Sequence, residues 1–414
     1  MAVLEQLTSQ QAIELENKYG AHNYHPLPVV LAKGKGVYVW DVEGKQYYDF
    51  LSAYSAVNQG HCHPKIVNAM VQQAQTLALT SRAFYNDILG KYEKFACEFF
   101  GFDKLLPMNT GAEAVETALK LCRKWAYEVK GINENEAEII VCKNNFHGRT
   151  TTIISFSNDP VARKNFGPYT NGFIKIEYNN LEALEAALKN NPNVGGFLVE
   201  PIQGEAGVYV PSEDYLAKAK ALCEQYNVLF IADEVQTGIA RTGKLLAVDH
   251  ENVKPDVLIL GKAISGGVYP VSAVLANDNV MQVIKPGNHG STFGGNPVAA
   301  AVAMAALEIV QEEKLAENAA ELGELFRSEL SKYIETSNIV NLVRGKGLLN
   351  AILINDEEDS DTAWNICLAL RDNGLLAKPT HGNIIRFAPP LIMDKAQLLD
   401  CVSIIIKTLK QFEK

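Results

Sequence analysis

An aspartate and a lysine each follow a short apolar run in the second half of the chain. Residues 228–232 (VLFIA) lead directly into Asp233, and residues 257–260 (VLIL) lead through Gly261 into Lys262. Short continuous apolar runs are typical of strands that are buried on both faces of a parallel sheet. Ligands of open α/β sheets bind just beyond the carboxyl ends of such strands. We therefore expect Asp233 and Lys262 to meet at one edge of a sheet and to form a binding site there.

This pair of side chains matches the chemical needs of pyridoxal phosphate (PLP). A lysine amine can hold the aldehyde of this cofactor as a Schiff base. A carboxylate can keep its pyridine nitrogen protonated, so that the ring becomes an electron sink. Taken alone, the two residues fit a helix cap at Asp233 and a solvated lysine at Lys262 equally well, and both interpretations stay open at this point.

The segment between the two residues nearly spells a phosphate-binding P-loop. Residues 238–244 read GIARTGK, but the next position, which must carry a hydroxyl group for magnesium, is Leu245. Residues 234–237 also separate this segment from the preceding apolar run. The sequence therefore argues against a nucleotide-dependent phosphotransferase, the main alternative from another class of enzyme.

A predicted helix start offers a phosphate site. Asn109 or Thr110 can cap a long helix, and Glu113 completes a capping box if Thr110 is the cap. Gly111 would let a phosphate approach the free backbone amides, where the helix dipole also favours an anion. A plain capped core helix fits the same residues.

Two further strand ends carry groups that could face the same sheet edge. Phe146 follows a predicted strand at residues 138–143 and could stack on a flat ring, although it fits a core position as well. Glu200 and Glu205 follow a strand at residues 195–199. We interpret Glu200 as structural and Glu205, which lies between glycines, as the better candidate for a mobile group of the site.

The composition is that of an ordinary soluble globular protein. The 414 residues are 47% hydrophobic and 21% charged, with a formal net charge of -10, so nucleic acid is not an expected partner. No apolar run approaches the roughly 18–20 residues of a membrane span. The seven cysteines include no Cys-x-x-Cys pair, and His61-Cys62-His63 fits a turn better than a metal site. We expect a cytoplasmic protein with neither a membrane anchor nor a bound metal.

The predicted elements divide the chain into three parts. Residues 1–50 are expected to form an N-terminal arm and a hairpin, and residues 51–311 a large α/β domain with a mostly parallel central sheet. Residues 312–414 change to an α+β pattern and are expected to form a smaller domain, on which the N-terminal part packs.

With these residues in order, the chain resembles the class III (subgroup II) aminotransferases of PLP fold type I over essentially its whole length. Each segment that carries the resemblance is weak alone, but nine of them in order identify the chain as a member of this family. It is most similar to the branch that transaminates the δ-amino group of ornithine. The segments are residues 19–28, 54–64, 109–114, 146–149, 200–205, 233–238, 260–262, 291–297 and 386–390.

The resemblance implies the residues that hold PLP. Lys262 is expected to bind the aldehyde and then to act as general base, and Asp233 to pair with the pyridinium. In a homodimer, Thr292 is expected to reach the phosphate in the site of the partner subunit. The other implied contacts are the amides of Gly111 and Ala112 on the phosphate, Phe146 over the ring face and Gln236 near the phenolic oxygen.

The resemblance also implies how two substrates share one site. Tyr24 and Arg149 are expected on the α-carboxylate of L-ornithine, with Tyr54 lining the pocket. Arg386 is expected to bind the α-carboxylate of 2-oxoglutarate, since guanidinium matches a carboxylate bidentately. Glu205 is expected to mask Arg386 while ornithine is bound. The products would be glutamate and glutamate 5-semialdehyde, which cyclises to pyrroline-5-carboxylate.

One position departs from some members of the ornithine branch. His147 stands where a tryptophan is common, as it does in relatives that act on acetylornithine or GABA. Acetylornithine, GABA or another ω-amino acid is therefore the alternative substrate. A catalytically silent member of the fold, kept for binding, is a third hypothesis, which the full set of chemical residues disfavours.

Overall fold

The computed structural model describes residues 7–413, which form both helices and strands. Residues 1–6 and residue 414, which belong to the predicted N-terminal and C-terminal parts, lie outside the described residues. The strands are β1 (Leu31–Lys35), β2 (Tyr38–Asp41), β3 (Gln46–Asp49), β4 (Lys104–Met108), β5 (Glu138–Cys142), β6 (Phe173–Ile176), β7 (Val194–Val199), β8 (Leu229–Asp233), β9 (Val257–Leu260), β10 (Ser272–Ala276), β11 (Val340–Lys346), β12 (Leu349–Ile354), β13 (Leu375–Leu376), β14 (Lys378–Pro379) and β15 (Ile384–Phe387). The α-helices are α1 (Ser9–Tyr19), α2 (Ser52–Ser55), α3 (Pro64–Thr76), α4 (Leu89–Phe100), α5 (Gly111–Trp125), α6 (Thr151–Phe156), α7 (Pro160–Arg163), α8 (Leu181–Asn190), α9 (Tyr215–Gln225), α10 (Asp278–Met281), α11 (Pro297–Glu312), α12 (Leu315–Ile334), α13 (Thr362–Asp372) and α14 (Lys395–Leu409).

Seven strands form a mostly parallel central sheet in the order β4-β10-β9-β8-β7-β5-β6. Strand β10 runs in the opposite direction to the other six strands of this sheet. The two apolar runs that precede Asp233 and Lys262 are the adjacent parallel strands β8 and β9, in which Asp233 lies opposite Ile259. The expectation that both charged residues reach one edge of one sheet is therefore confirmed.

The central sheet is buried on both faces, which explains why its strands are continuously apolar. Successive residues of β5 point to opposite sides, so that Ile139 and Val141 pack in one core while Ile140 and Cys142 pack in the other. Helix α5 covers the first of these faces. Burial of each large aliphatic side chain contributes about 1.5–3 kcal/mol.

Two smaller sheets join the ends of the chain. The predicted hairpin, β2 and β3, pairs with β1 on one side and in parallel with β13 on the other, where Tyr48 lies opposite Leu375. The second sheet has the order β11-β12-β15-β14 and carries Arg386 on β15. The division of the chain at residues 50 and 311 stays a prediction.

The P-loop-like segment is an internal connection in this fold. Ala240 donates its backbone N–H to the carbonyl of Leu245, and the Arg241 side chain is fully buried. The guanidinium of Arg241 donates to the carbonyls of Leu348 and Pro389 and to Oδ1 of Asn58. These contacts direct the segment into the protein, away from any position where it could surround a nucleotide.

The histidines of residues 61–63 bind carboxylates. His61 Nε2 lies 2.7 Å from Asp49 Oδ2, and His63 Nε2 lies 3.0 Å from Glu313 Oε1. Within residues 7–413, no group of three or more histidine, cysteine or acidic side chains is arranged to hold a metal ion. No helix in the same range is long and apolar enough to cross a membrane.

Glu234, the residue after β8, is a fully buried carboxylate that organises the following loop. Its side chain accepts hydrogen bonds from the hydroxyl of Thr237 and from the backbone N–H of Val248, at 2.9 Å. Burial is the largest influence on Glu234 and raises the pKa of its carboxyl from 4.5 to about 7, although these hydrogen bonds act in the opposite direction. The folded protein therefore holds this proton more tightly than the unfolded chain does.

We predict that Glu234→Gln changes the pH dependence of folding. Because the folded-state pKa is raised, wild-type stability falls as pH rises from 4.5 to about 7. Glutamine does not titrate, so the variant's free energy of unfolding relative to wild type should increase by about 2 kcal/mol between pH 5 and pH 8. Urea denaturation across this pH range measures the difference.

Glu321→Gln, at an exposed position on α12, controls for the loss of one negative charge. A difference between Glu234→Gln and wild type that stays constant from pH 5 to pH 8 would contradict this prediction.

Candidate active site

A cavity of about 200 Å³ lies at the carboxyl ends of β8 and β9. Six of the seven residues expected to hold PLP line it, and Thr292 does not. Those six are Gly111, Ala112, Phe146, Asp233, Gln236 and Lys262. A larger cavity of about 610 Å³ adjoins Phe146 and includes Arg149 and Glu205. The two cavities are neighbours, since Phe146, His147 and Gly148 line both of them.

Lys262 begins a 3-10 turn, Lys262–Ser265, directly after β9. Its backbone has a φ of 45°, which a residue with a side chain rarely adopts, at a cost of about 1–3 kcal/mol. Within residues 7–413, its Nζ makes no hydrogen bond or ion pair. Burial lowers the pKa of the Lys262 ammonium, although the Asp233 carboxylate acts in the opposite direction. The site thus holds an amine that gives up its proton more readily than a surface lysine does.

Asp233 is fixed by two hydrogen bonds from opposite sides. Its Oδ2 lies 2.6 Å from His147 Nδ1, and its Oδ1 accepts the backbone N–H of Val235 at 3.0 Å. Burial opposes the charged form of His147, but its hydrogen bond with Asp233 outweighs this, and the pKa of the imidazole is raised. The pair therefore holds the Asp233 carboxyl group in a fixed position at the cavity.

His147 is a site residue whose role the sequence did not reveal. It lines the cavity and is almost completely buried, and its Nε2 has no hydrogen-bond partner among the described residues. From the sequence it was only a departure from the ornithine branch. Its place directly after Phe146, beyond the end of β5, was the available signal, because Asp233 ends a strand of the same parallel sheet.

Glu200 positions Phe146 through the backbone. Its buried Oε1 accepts the backbone N–H of Phe146 at 2.9 Å. Burial raises the pKa of the Glu200 carboxyl to about 7, while His147 opposes this and Asp233 adds to it. The interpretation of Glu200 as a structural residue agrees with this contact.

The start of α5 presents free amides to the cavity. Thr110 accepts the backbone N–H of Glu113, and the Glu113 carboxylate accepts the backbone N–H groups of Asn109 and Thr110 in return. Gly111 and Ala112 follow and line the cavity. A Cβ atom on Gly111 would lie 2.9 Å from Cγ1 of Val235, so this close approach requires glycine. The free N–H groups and the helix dipole suit an anion such as a phosphate.

Arg386 enters the site from the second small sheet and is 2% exposed. Its Nη1 lies 2.9 Å from Glu205 Oε2, 3.0 Å from Gln236 Oε1 and 3.3 Å from the carbonyl of Gly204. Its guanidinium also lies 5.1 Å from the centre of the Tyr54 ring. The expected contact between Glu205 and Arg386 is therefore present in the structure, and Gln236 contacts this pair as well as the smaller cavity.

The other expected substrate residues lie further out. Tyr54 is half-buried with a φ of 60°, and burial, followed by the charge of Glu205, raises the pKa of its hydroxyl. The guanidinium of exposed Arg149 lies 5.7 Å from the centre of the Phe146 ring. Tyr24 and Thr292 are both exposed and line neither cavity. Tyr24 is nevertheless close enough to act electrostatically on the Tyr54 hydroxyl, whereas the single chain does not bring Thr292 into the site.

The family model of the class-III aminotransferases matches residues 19–409. A mitochondrial ornithine aminotransferase of Drosophila melanogaster is 66% identical over 394 residues, which cover 95% of this chain and 90% of the relative. The structure of an ornithine aminotransferase from Toxoplasma gondii, with PLP at partial occupancy in its active site, has a TM-score of 0.96 at 49% identity. The alignment covers 99% of this chain and 95% of that chain.

A second solved structure bears a different substrate in its name. An acetylornithine aminotransferase from Elizabethkingia anophelis has a TM-score of 0.91 at 66% identity. The alignment covers 98% of this chain and 100% of that chain. These similarities extend over both small sheets and the central sheet. The predicted fold class is confirmed, and the chain belongs to the class-III aminotransferase family.

Proposed function

We propose that this protein is a PLP-dependent aminotransferase that transfers the δ-amino group of L-ornithine to 2-oxoglutarate. The products are glutamate and glutamate 5-semialdehyde, which cyclises to pyrroline-5-carboxylate. The observation that carries the proposal is the Glu205–Arg386 ion pair next to the cavity of Asp233 and Lys262. An arginine that can be masked and unmasked suits an enzyme that must accept an amino acid without a distal carboxylate and then a dicarboxylic acid.

The residues of the smaller cavity fit PLP. Asp233, fixed by His147, would pair with the pyridine nitrogen, and the amides of Gly111 and Ala112 would hold the phosphate. Phe146 offers a ring face and Gln236 a side-chain amide for the phenolic oxygen. PLP supplies an aldehyde that takes up the amino group and a ring that withdraws electrons from the neighbouring carbon.

Lys262 and Asp233 have distinct tasks in this proposal. The lowered pKa of Lys262 leaves a larger share of the amine neutral, as a nucleophile and a general base require. In the proposed mechanism, Lys262 Nζ removes a proton from the substrate carbon and returns it one position away. Asp233 would hold the pyridine nitrogen, and its contacts with His147 and Val235 fix the position of its carboxyl group.

The outer residues would orient the two substrates differently. With Arg386 paired to Glu205, the α-carboxylate of ornithine is left to Arg149 and Tyr24, and the δ-amine points inward. When 2-oxoglutarate enters, its carboxylate takes the place of Glu205 on Arg386. Because Arg386 is almost completely buried, a carboxylate bound there exchanges one charge-assisted hydrogen bond for another.

A panel of amino donors tests the proposal. We expect ornithine with 2-oxoglutarate to support turnover at a kcat/KM well above that of N-acetylornithine or GABA. Ornithine should also bleach the visible absorption of the bound cofactor. Turnover of N-acetylornithine well above ornithine would instead assign the activity named for the relative from Elizabethkingia anophelis.

Lys262→Ala is the control for this panel. Loss of the general base should lower turnover by about 10²–10⁴-fold for every donor and should abolish the normal visible absorption. A Lys262→Ala protein that retains both properties would contradict the proposed role of Lys262.

We also propose that the active form is a homodimer in which Thr292 reaches the phosphate of the partner subunit. Phe293, next to Thr292, is 49% exposed, and Phe84 and Tyr85 are 72% and 106% exposed. These two segments are neighbours, since Arg82 lies beside Gly295. Apolar side chains exposed near the position of Thr292 fit a contact with a second copy.

Sedimentation and activity measurements test the dimer. We predict that wild type sediments at twice the mass of one chain and that Phe293→Asp shifts the protein toward the monomer with a parallel loss of activity. Leu399→Asp, on α14, introduces the same charge at a leucine that is 40% exposed and is the control. Full activity of a monomeric Phe293→Asp protein would contradict the shared site.

We propose that the protein acts in the cytoplasm. All seven cysteines are unpaired, which fits a reducing compartment. The relative from Drosophila melanogaster is named mitochondrial, so the compartment requires its own measurement. Cell fractionation with a compartment marker decides between the two locations, and recovery of the protein in the mitochondrial fraction would exclude the cytoplasm.

A further inference from the structure

Lys378 lies directly opposite Arg386 in the second small sheet. The antiparallel pairing of β14 with β15 places these two residues in register. Side chains at directly opposed positions project from the same face of a sheet, with Cβ atoms about 4.5–5.5 Å apart. Two cations placed this way repel each other, unless an anion lies between or beside them. The Glu205 carboxylate, 2.9 Å from Arg386 Nη1, is the anion on that face.

The residue that follows β14 contacts the backbone of Glu205. Thr380 donates its hydroxyl to the carbonyl of Glu205. Lys378, which lies opposite Arg386 on β14, is close enough to act electrostatically on the Glu205 carboxylate. This end of β14 therefore lies near the loop that carries Glu205.

The loop of Glu205 is held at its main chain. Besides the bond from Thr380, Arg344 Nε donates to the carbonyl of Gly207 at 2.9 Å, and Arg386 donates to the carbonyl of Gly204. A Cβ atom on Gly207 would lie 2.7 Å from Ile384 Cδ1, which leaves little room for the loop to shift toward β15. Glu205 can therefore leave Arg386 by rotation of its side chain, with no movement of the loop.

We propose that Lys378 receives the Glu205 carboxylate when a dicarboxylic substrate displaces it from Arg386. This inference rests on the proposed function of Arg386. The Lys378 ammonium has three N–H donors. Only one of them has a partner among the described residues, the carbonyl of His25 at 2.8 Å. The displaced carboxylate thus moves to a neighbouring cation instead of to bulk water, which lowers the cost of opening Arg386.

The charge environment of Lys378 agrees with this role. Its side chain is half-buried. Burial lowers the pKa of the Lys378 ammonium, and the Glu205 carboxylate acts in the opposite direction. The Glu205 carboxylate thus favours the charged form of Lys378 while it is bound to Arg386.

Lys378 also links this exchange to the N-terminal arm. The carbonyl that it binds belongs to His25, whose ring stacks on Trp364 with centroids 4.5 Å apart and an interplanar angle of 9°. Tyr24, the neighbouring residue, is the proposed contact of the ornithine α-carboxylate. Lys378 therefore binds the segment that carries Tyr24 and also lies opposite Arg386, whose carboxylate partner must move for the second substrate.

A double-mutant cycle with Glu205 tests the proposal in the holoenzyme. Lys378→Met should raise the KM for 2-oxoglutarate by about threefold to tenfold, because Glu205 loses its alternative partner. In a Glu205→Ala background no carboxylate has to be displaced, so Lys378→Met should add no further change in that KM. An equal effect of Lys378→Met in both backgrounds would overturn the proposal, because the lysine would then act only through the arm.

Two comparisons complete the experiment. Lys395→Met removes the same charge at an exposed position at the start of α14 and should leave the KM for 2-oxoglutarate at the wild-type value. Lys378→Arg keeps a cation and should restore most of the loss. The wild-type donor panel reports separately on the proposed function. If another amine proves to be the donor, the same cycle can be measured with it, because the cycle concerns only the acceptor.

Discussion

The parallel pairing of β8 with β9 is the constraint on which the active site depends. Both strands are buried on both faces, so an ionisable side chain within them would lie in the core without water or a partner. The charged residues of this region are therefore confined to the strand ends. Because Asp233 lies opposite Ile259, Lys262 follows three residues beyond that register position. A carboxylate and an amine thus line the same small cavity.

Two ion pairs of the site differ in how deeply their members are buried. Asp233 and His147 are 5% and 1% exposed at their side chains, and removing one member of such a pair costs about 3–5 kcal/mol. In the Arg386–Glu205 pair the exposure is unequal, at 2% and 28%. The carboxylate is the member that can reach water or another cation. The asymmetry makes Glu205 the exchangeable partner and Arg386 the fixed one.

The sequence predicted the strands whose residues are apolar because they are buried. It did not predict strands that are exposed and are held only by backbone pairing with a neighbouring strand. Strands β8 and β9 were visible because their residues are uniformly apolar. Strand β1, with the sequence LAKGK, is exposed at four of five positions and lies at the edge of its sheet, so it has no apolar pattern to detect. The contact of His147 with Asp233 and the register of Lys378 opposite Arg386 join residues 86 and 8 positions apart, which only the folded chain brings together.

Residues 238–244 resemble a P-loop because both this segment and a P-loop form a tight turn. In this chain, Ile239 and Ala240 take positive φ values, and the turn directs the Arg241 guanidinium inward. Arg241 forms no ion pair within residues 7–413, and burial lowers its pKa to about 9. The guanidinium donates instead to three oxygen acceptors on three separate segments, which take the place of hydrogen bonds to water. The planar guanidinium can reach all three at once, which a lysine ammonium on its flexible stem does less well.

Arg241 also connects the loop after β8, which carries Gln236, to strand β15, which carries Arg386. Its bond to the carbonyl of Pro389, at 2.6 Å, holds the chain three residues beyond Arg386. Arg241 itself lies five residues beyond Gln236, whose Oε1 contacts Arg386. The loop after β8 and the strand β15 are therefore joined at two points, one facing the substrate and one in the core. Because the core contact involves backbone carbonyls, it persists when Arg386 exchanges Glu205 for a substrate carboxylate, and the exchange can occur without separating the two sheets.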